Sequence, residues 1–173
     1  SNKKLGLIGK NISYSFSKKF FENKFQKLML KNFSYDIFDL NEVNEVENLF
    51  ASPELLGFNV TIPYKESVIP YLDKLSKNAA QIGAVNVIRF TKKGKLKGYN
   101  SDYYGFMKSL QPLLQLHHQK ALIFGDGGAA KAVKYVFDQL QIDYLVVVRN
   151  PAPNAILYSE VNAEILATHT LLI

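Results

Sequence analysis

Residues Lys120-Ala121-Leu122-Ile123-Phe124-Gly125-Asp126-Gly127-Gly128-Ala129-Ala130 read as a buried strand that runs straight into a glycine-rich turn. A helical run from Lys131 to Leu140 follows, and then a second strand, Tyr144 to Val148. Strand, turn, helix and strand in that order make a βαβ unit, and the turn carries the G-x-G-x-x-A spacing of a dinucleotide site. In that spacing Gly125 makes the turn, Gly127 admits a pyrophosphate close to the backbone, and Ala130 packs helix on strand. The competing reading is a purely structural glycine turn. The second strand ends at Val148-Arg149-Asn150, where an NAD-type fingerprint calls for an acid. An arginine there suits a 2′-phosphate instead; otherwise it is a surface residue.

Upstream, Asn59-Val60-Thr61-Ile62-Pro63-Tyr64-Lys65 alternates polar and β-branched residues as a strand does, until Pro63 removes a donor and stops the ladder. Lys65 then opens a helix-like run. Open α/β sheets hold ligands outside the carboxyl ends of their strands, so Asn59, Thr61 and Lys65 are candidates for one pocket around an oxygen-rich molecule. The plain alternative for Lys65 is a solvated lysine in a first turn.

The rest of the chain alternates strand and helix. Lys4 to Ile8 is a short strand closed by Gly9, and a loop from Asn11 to Ser17 leads to an amphipathic helix, Lys18 to Leu30, with Phe21, Phe25 and Leu28 at i, i+4 and i+7. Ser15 and Ser17 stand at its amino end, where hydroxyls and unpaired N–H groups can hold a carboxylate, or where Ser17 is only a cap. Tyr35 to Asp39 is a second strand, Glu42 to Phe50 a helix, and Gly57 to Ile62 the third strand. Helical patterns at Lys65 to Leu72 and Leu75 to Gln81 lead to the strand Ala84 to Phe90, which carries Asn86, an amide that needs partners, among apolar residues. Lys92-Lys93-Gly94 turns a hairpin back through Lys95 to Tyr99. Asp102 then precedes the amphipathic run Tyr103 to Leu114, as its N-cap or as a carboxylate beside Lys65 that assists proton transfer.

Composition sets the outer bounds. The 173 residues, 47% of them hydrophobic and 21% charged, suffice for one large domain or two small ones. No apolar run approaches the ~20 residues of a membrane span, and the amino terminus lacks a signal peptide's apolar region, so no membrane partner is expected. The absence of cysteine excludes disulfides and thiolate metal sites and fits a cytoplasmic location. His117, His118 and His169 lack metal-ligand spacing. The net charge of +6 is spread over lysines in short pairs, which suits small anionic ligands and no nucleic acid.

Five motifs, in order, carry a resemblance to the shikimate dehydrogenase family: Ser15-Phe16-Ser17, Asn59 to Lys65 (NVTIPYK), Gly83 to Asn86 (GAVN), Asn100-Ser101-Asp102, and the GDGGAAKA loop from Gly125. What the resemblance implies is an NADP-linked interconversion of 3-dehydroshikimate and shikimate in aromatic amino-acid (chorismate) biosynthesis. It implies an α/β fold in which residues 1–102 form a three-layer substrate domain with a mostly parallel sheet, and residues 103–173 the first part of a Rossmann domain. It also implies roles. Lys65 and Asp102 would be the catalytic pair, Ser15 and Ser17 would hold the substrate carboxylate, and Asn59, Thr61 and Asn86, with Asp102, the ring hydroxyls. Gly125, Gly127, Gly128, Ala129 and Ala130 would cradle the cofactor pyrophosphate, with Arg149 and Asn150 at the adenosine end. The protein would be a monomer or homodimer with a small-molecule substrate. Lys18 stands where proline often follows the serine pair, Ser101 replaces a threonine, and Val148 replaces an asparagine. Beyond Leu171-Leu172-Ile173, which reads as the next Rossmann strand, the family's later segments have no counterpart here. Two further readings are a quinate/shikimate dehydrogenase, which differs in how the serine pair fits a larger substituent, and a non-catalytic binding module.

Overall fold

The computed structural model describes residues 2–173. The chain divides between Asn100 and Ser101 into two compact units, two residues ahead of the boundary expected after Asp102.

The first unit is built on β1 (Lys3–Gly9), α1 (Ser17–Lys27), β2 (Phe33–Asp39), α2 (Val46–Phe50), β3 (Leu55–Val60), β4 (Lys74–Leu75), α3 (Lys77–Ile82), β5 (Val87–Phe90) and β6 (Leu96–Tyr99). The strands form one sheet in the order β2-β1-β3-β5-β6-β4. Pairings β1–β2, β1–β3 and β4–β6 are parallel, while the hairpin around Gly94 makes β5–β6 antiparallel and β5 also runs against β3. On one face Leu7, Ile12, Tyr35 and Phe25 of α1 are buried together, with Phe21, Phe33 and Ile37 against them. On the other, Ile8, Phe58 and Val60 meet Val46 of α2, Ala79 of α3, Val68, Val85 and Ile88. β1 lies between, so its apolar residues point both ways, as in a covered parallel strand.

Three local expectations are corrected. Leu28 is 56% exposed, because α1 stops at Lys27 and Met29 takes a left-handed conformation (φ 53°) that turns the chain toward β2. The helix expected over Lys65 to Leu72 is a series of turns with one 3-10 turn at Ile69–Tyr71. Val68 still reaches the core through its N–H bond to the Tyr64 carbonyl (3.0 Å), while Pro70 supplies no N–H to continue a helix. The next pattern starts as β4, and α3 begins only after Ser76, whose hydroxyl accepts from the Ala79 N–H (3.2 Å).

The second unit contains α4 (Asp102–Leu110), β7 (Lys120–Phe124), α5 (Gly128–Leu140), β8 (Asp143–Val148), β9 (Ala155–Leu157), α6 (Ala163–Thr168) and β10 (Leu171–Leu172). Its sheet, β10-β7-β8-β9, is parallel throughout, and β10 takes the place expected of the next Rossmann strand. Ala121, Leu122 and Ile123 of β7 are all buried, and Phe137 of α5, Leu110 of α4 and Leu171 complete the core, with Ala130 packed against it. Only residues 149–154 connect β8 to the parallel β9, without a crossover helix. The short link works because β9 pairs only with Val146, Val147 and Val148. Among the described residues no helix is long and apolar enough to cross a membrane.

Candidate functional site

The strand end in the first unit is stitched to its neighbours through the backbone. Beyond β3 the Thr61 N–H continues the ladder onto the Ile8 carbonyl (2.9 Å), and the Ile62–Pro63 peptide is cis. Tyr64 turns inward and its hydroxyl donates to the Leu40 carbonyl (2.7 Å); burial above all, then Glu42, Glu45 and Asp39, raises its pKa. Lys65 follows, partly exposed, and its carbonyl accepts from the Val85 N–H (2.7 Å). The Asn86 carbonyl accepts from Val60 (2.9 Å), and its own N–H donates to Tyr99 (3.0 Å). The buried Asn100 side chain donates to the Ala84 carbonyl (3.1 Å). Three motifs far apart in sequence thus meet at one end of the sheet: Asn59 to Lys65, Ala84 to Asn86, and Asn100. Asn100, which the sequence offered as part of a motif without a role of its own, is the side chain that ties the third to the second.

The serine pair lies on the same unit. Ser17 is the first residue of α1 and Phe16 holds the cap position without a side-chain cap bond; Ser15 Oγ accepts from the Ser17 N–H (3.2 Å). The capping hydroxyl is therefore that of Ser15, since Ser17 already lies inside the helix. Between the pair and β3 sits a residue the sequence reading missed. Tyr35 of β2, 1% exposed, donates its hydroxyl to Asn59 Oδ1 (2.8 Å), and its ring is stacked on Phe21 of α1 at 4.5 Å and 10°. Burial raises the phenol to about 12, and the Ser17 hydroxyl beside it offsets part of the rise. A tyrosine alternating with the apolar Phe33 and Ile37 along β2 was the available signal, because a buried phenol needs a hydrogen-bond partner.

The raised phenol has a consequence for stability. A folded-state pKa near 12 against an ordinary 10.0 means that between those values the native protein keeps a proton the unfolded chain gives up. This contribution is whole below pH 10 and is lost as pH climbs toward 12, at up to ~1.4 kcal/mol per pH unit. Urea unfolding between pH 9 and 12, taken as assay conditions, should show that slope in the parent and a shallower one in Tyr35→Phe.

In the second unit, Asp102 is the first residue of α4 and Ser101 occupies the cap position, so the N-cap expected at Asp102 is displaced by one residue. A carboxylate in the first turn still suits the helix dipole. At the glycine turn Gly125 has φ +111°, a conformation that only glycine adopts readily, and its N–H donates to the Val147 carbonyl (2.8 Å). Gly127 has an ordinary negative φ, and a Cβ there would meet nothing within 4 Å. The chain's own packing does not require glycine at 127, which leaves its backbone open to a close-lying group. Gly127 caps α5 with no side-chain cap bond and no acid in the first turn, so the N–H groups of Gly128, Ala129 and Ala130 begin a helix of the kind that receives phosphates. Asp126, the acid in this loop, is ion-paired with Lys134 of α5, which offsets its repulsion of an anion.

A cleft of about 400 Å³ runs from Gly125 and Asp126 to Arg149 and Asn150 and is walled by Phe124 and Tyr158. An adjoining one is lined by Arg149, Leu157, Tyr158 and Ser159. The structure therefore brings the glycine turn and the end of β8 to one cleft. Tyr158, which carries no motif, enters it because the link from β8 to β9 is short. The donor set fits a phosphorylated nucleotide: helix N–H groups at one end and an exposed guanidinium at the other.

Comparison with known proteins gives a consistent picture. The family model for the shikimate dehydrogenase substrate binding domain matches residues 7–88. A relative from Clostridium botulinum (strain Loch Maree / Type A3), "Shikimate dehydrogenase (NADP(+))", is 44% identical over 151 residues, covering 84% of this chain and 57% of its own length. Among solved structures, shikimate dehydrogenase 1 from Peptoclostridium difficile is similar with a TM-score of 0.79 at 31% identity, over 90% of this chain and 60% of that one. Shikimate 5-dehydrogenase from Thermus thermophilus, solved in complex with shikimate, gives 0.76 at 25% identity, over 98% of this chain and 62% of that one. The chain thus spans less than two thirds of the length of these relatives.

Proposed function

Because this chain belongs to the shikimate dehydrogenase family, we propose that it carries the substrate-binding and part of the NADP-binding machinery for the reversible reduction of 3-dehydroshikimate to shikimate. In this reading residues 1–102 hold the substrate and the catalytic lysine, residues 103–173 take the cofactor, and the protein works in the cytoplasm in aromatic amino-acid biosynthesis. The observation that carries the reading is the convergence of Asn59, Lys65 and Asn86 at one sheet end, with Ser17 linked to Asn59 through Tyr35.

NADPH, when bound, supplies the hydride. The protein's part is to bind, orient and move a proton. The ring hydroxyls lie against the side chains of Asn59, Thr61 and Asn86, and the carboxylate against the two serine hydroxyls and the amino end of α1, whose dipole favours negative charge. As the carbonyl carbon gains its hydrogen, its oxygen becomes an alkoxide and takes a proton from the Lys65 ammonium. In the oxidation direction the neutral amine takes that proton back. Asp102 is the second group assigned to the proposed proton transfer. A fixed cation where negative charge develops stabilises the transition state more than the ground state.

The direct test is a spectrophotometric assay of reduced nicotinamide with shikimate and quinate, each with NADP and NAD. Shikimate with NADP should be the best pair. A chain that binds shikimate without turnover is a binding module, and a chain that does not bind shikimate overturns the reading. Ser15→Ala tests the carboxylate contact. It should raise KM several-fold with kcat nearly unchanged, because a contact to a non-reacting group is made in ground and transition states alike. A change in melting temperature alone would reduce Ser15 to a cap.

A further inference from the structure

Tyr35 lies outside every motif of the chain, yet it joins the two parts of the substrate site. We propose that Tyr35 is a positioning residue: by donating its hydroxyl to Asn59 Oδ1 it fixes the Asn59 amide so that the Nδ2 hydrogens face a substrate hydroxyl. The inference rests on the substrate reading above.

Three observations build it. The first is register. Tyr35 lies opposite Leu5, which lies opposite Gly57, and Asn59 is one pleat further along the same face. β1 lies between β2 and β3, so the phenol and the Asn59 side chain, joined by their hydrogen bond, together bridge two strand spacings, roughly 10 Å. Few side chains other than a tyrosine would reach that amide and end in a donor. The second is immobility. The ring is fully buried and stacked on Phe21 of α1, so its hydroxyl is delivered to one place.

The third is polarity. A tyrosine hydroxyl can donate or accept, and an asparagine amide can be turned either way, so one hydrogen bond alone would not fix the amide. The Ser17 hydroxyl lies beside the phenol oxygen and favours its negative form, as a donor does. The phenol proton goes to Asn59 Oδ1 (2.8 Å), and in the ligand-free protein the Ser17 hydroxyl supports this relay until its single proton turns to the substrate carboxylate. Burial keeps the phenol protonated across all ordinary pH, so the relay does not titrate. Both Asn59 donors are then left for the ligand.

The test uses the 173-residue chain and Tyr35→Phe, which keeps the ring, its stack and its burial and removes only the hydroxyl. Titration with shikimate should show affinity weakened roughly three- to tenfold, the scale of one hydrogen bond. Asn59→Ala should weaken it as well, and the double variant should be no weaker than Asn59→Ala alone, because Tyr35 acts through Asn59. Phe21→Leu, which disturbs the stack that holds the ring, should lower the melting temperature and weaken affinity in the same direction as Tyr35→Phe but by less, because the hydroxyl remains. Unchanged affinity in Tyr35→Phe, or strict additivity in the double variant, overturns the proposal.

A ligand-free readout separates this from the substrate reading. The Asn59 side-chain amide resonances, assigned by their loss in Asn59→Ala, should move and broaden in Tyr35→Phe. If they do not, Tyr35 does not orient the amide. A parent that binds no shikimate counts against the reading of the site, and the amide spectrum then decides Tyr35 by itself.

Discussion

Lys65→Ala is expected to lower turnover by ~10²- to 10⁴-fold, the range lost with a positioned acid or base, while shikimate affinity changes by no more than a few-fold. The asymmetry follows from what the side chain does. In the proposed site, ring hydroxyls and carboxylate are held by other residues in ground and transition states alike, whereas a proton donor matters only once charge develops on the reacting oxygen. The substitution is also structurally mild. The Lys65 carbonyl, not its side chain, takes the Val85 N–H, and the buried Tyr64 hydroxyl bond to Leu40 anchors the segment one residue earlier. Steady-state kinetics with shikimate and NADP check the outcome. A variant that turns over like the parent would make Lys65 a bystander at the strand end and leave the proton without a donor.

The second large effect is in cofactor choice. Arg149→Ala should weaken NADP(H) by about tenfold or more and leave NAD(H) nearly unchanged, since charge-assisted hydrogen bonds contribute roughly 1.5–3 kcal/mol each. Arg149 follows the last residue of β8 and lines the same cleft as Gly125, with no acid among Val148, Arg149 and Asn150 to accept a free 2′-hydroxyl. Asp143, the nearest acid upstream, opens β8 at the opposite end of the strand. A guanidinium in that place grips a phosphate through two parallel bonds, but it is exposed, which puts the gain at the lower end of the range. Fluorescence titration with both reduced cofactors decides the matter, and rising salt should erode the NADP(H) preference. Equal loss of both cofactors, or a parent that prefers NAD, removes Arg149 from the site.

Much of this was legible because the signals are local. The glycine spacing after β7 specified the turn, the helix and the second strand, and φ +111° at Gly125 is the conformation its glycine anticipates. Phe21 and Phe25 at helical spacing found the buried face of α1. What escaped reading depends on long-range contact. The Tyr35–Asn59 bond spans 24 positions and crosses an intervening strand, so no periodicity in either segment announces it. The segment after Lys65 has helical apolar spacing, yet its core contact through Val68 is met by turns, and Pro70 decides against a longer helix. Tyr158 reaches the cleft beside the glycine turn through the shortness of the connection before β9, a property of sheet register that no motif encodes.

That short connection also bears on colloidal behaviour. Because β9 pairs only with Val146, Val147 and Val148, the first half of β8, Asp143-Tyr144-Leu145, lies along the outer side of the sheet with no β9 residue opposite it. The strand reads DYLVVV, a β-prone run with one charge and no proline, the composition that invites a second chain to add alongside. Asp143, exposed at the open end, is the single charge in the run. A charge at that place opposes edge-to-edge pairing, so a residue with no place in the proposed chemistry still bears on how the strand meets a second chain.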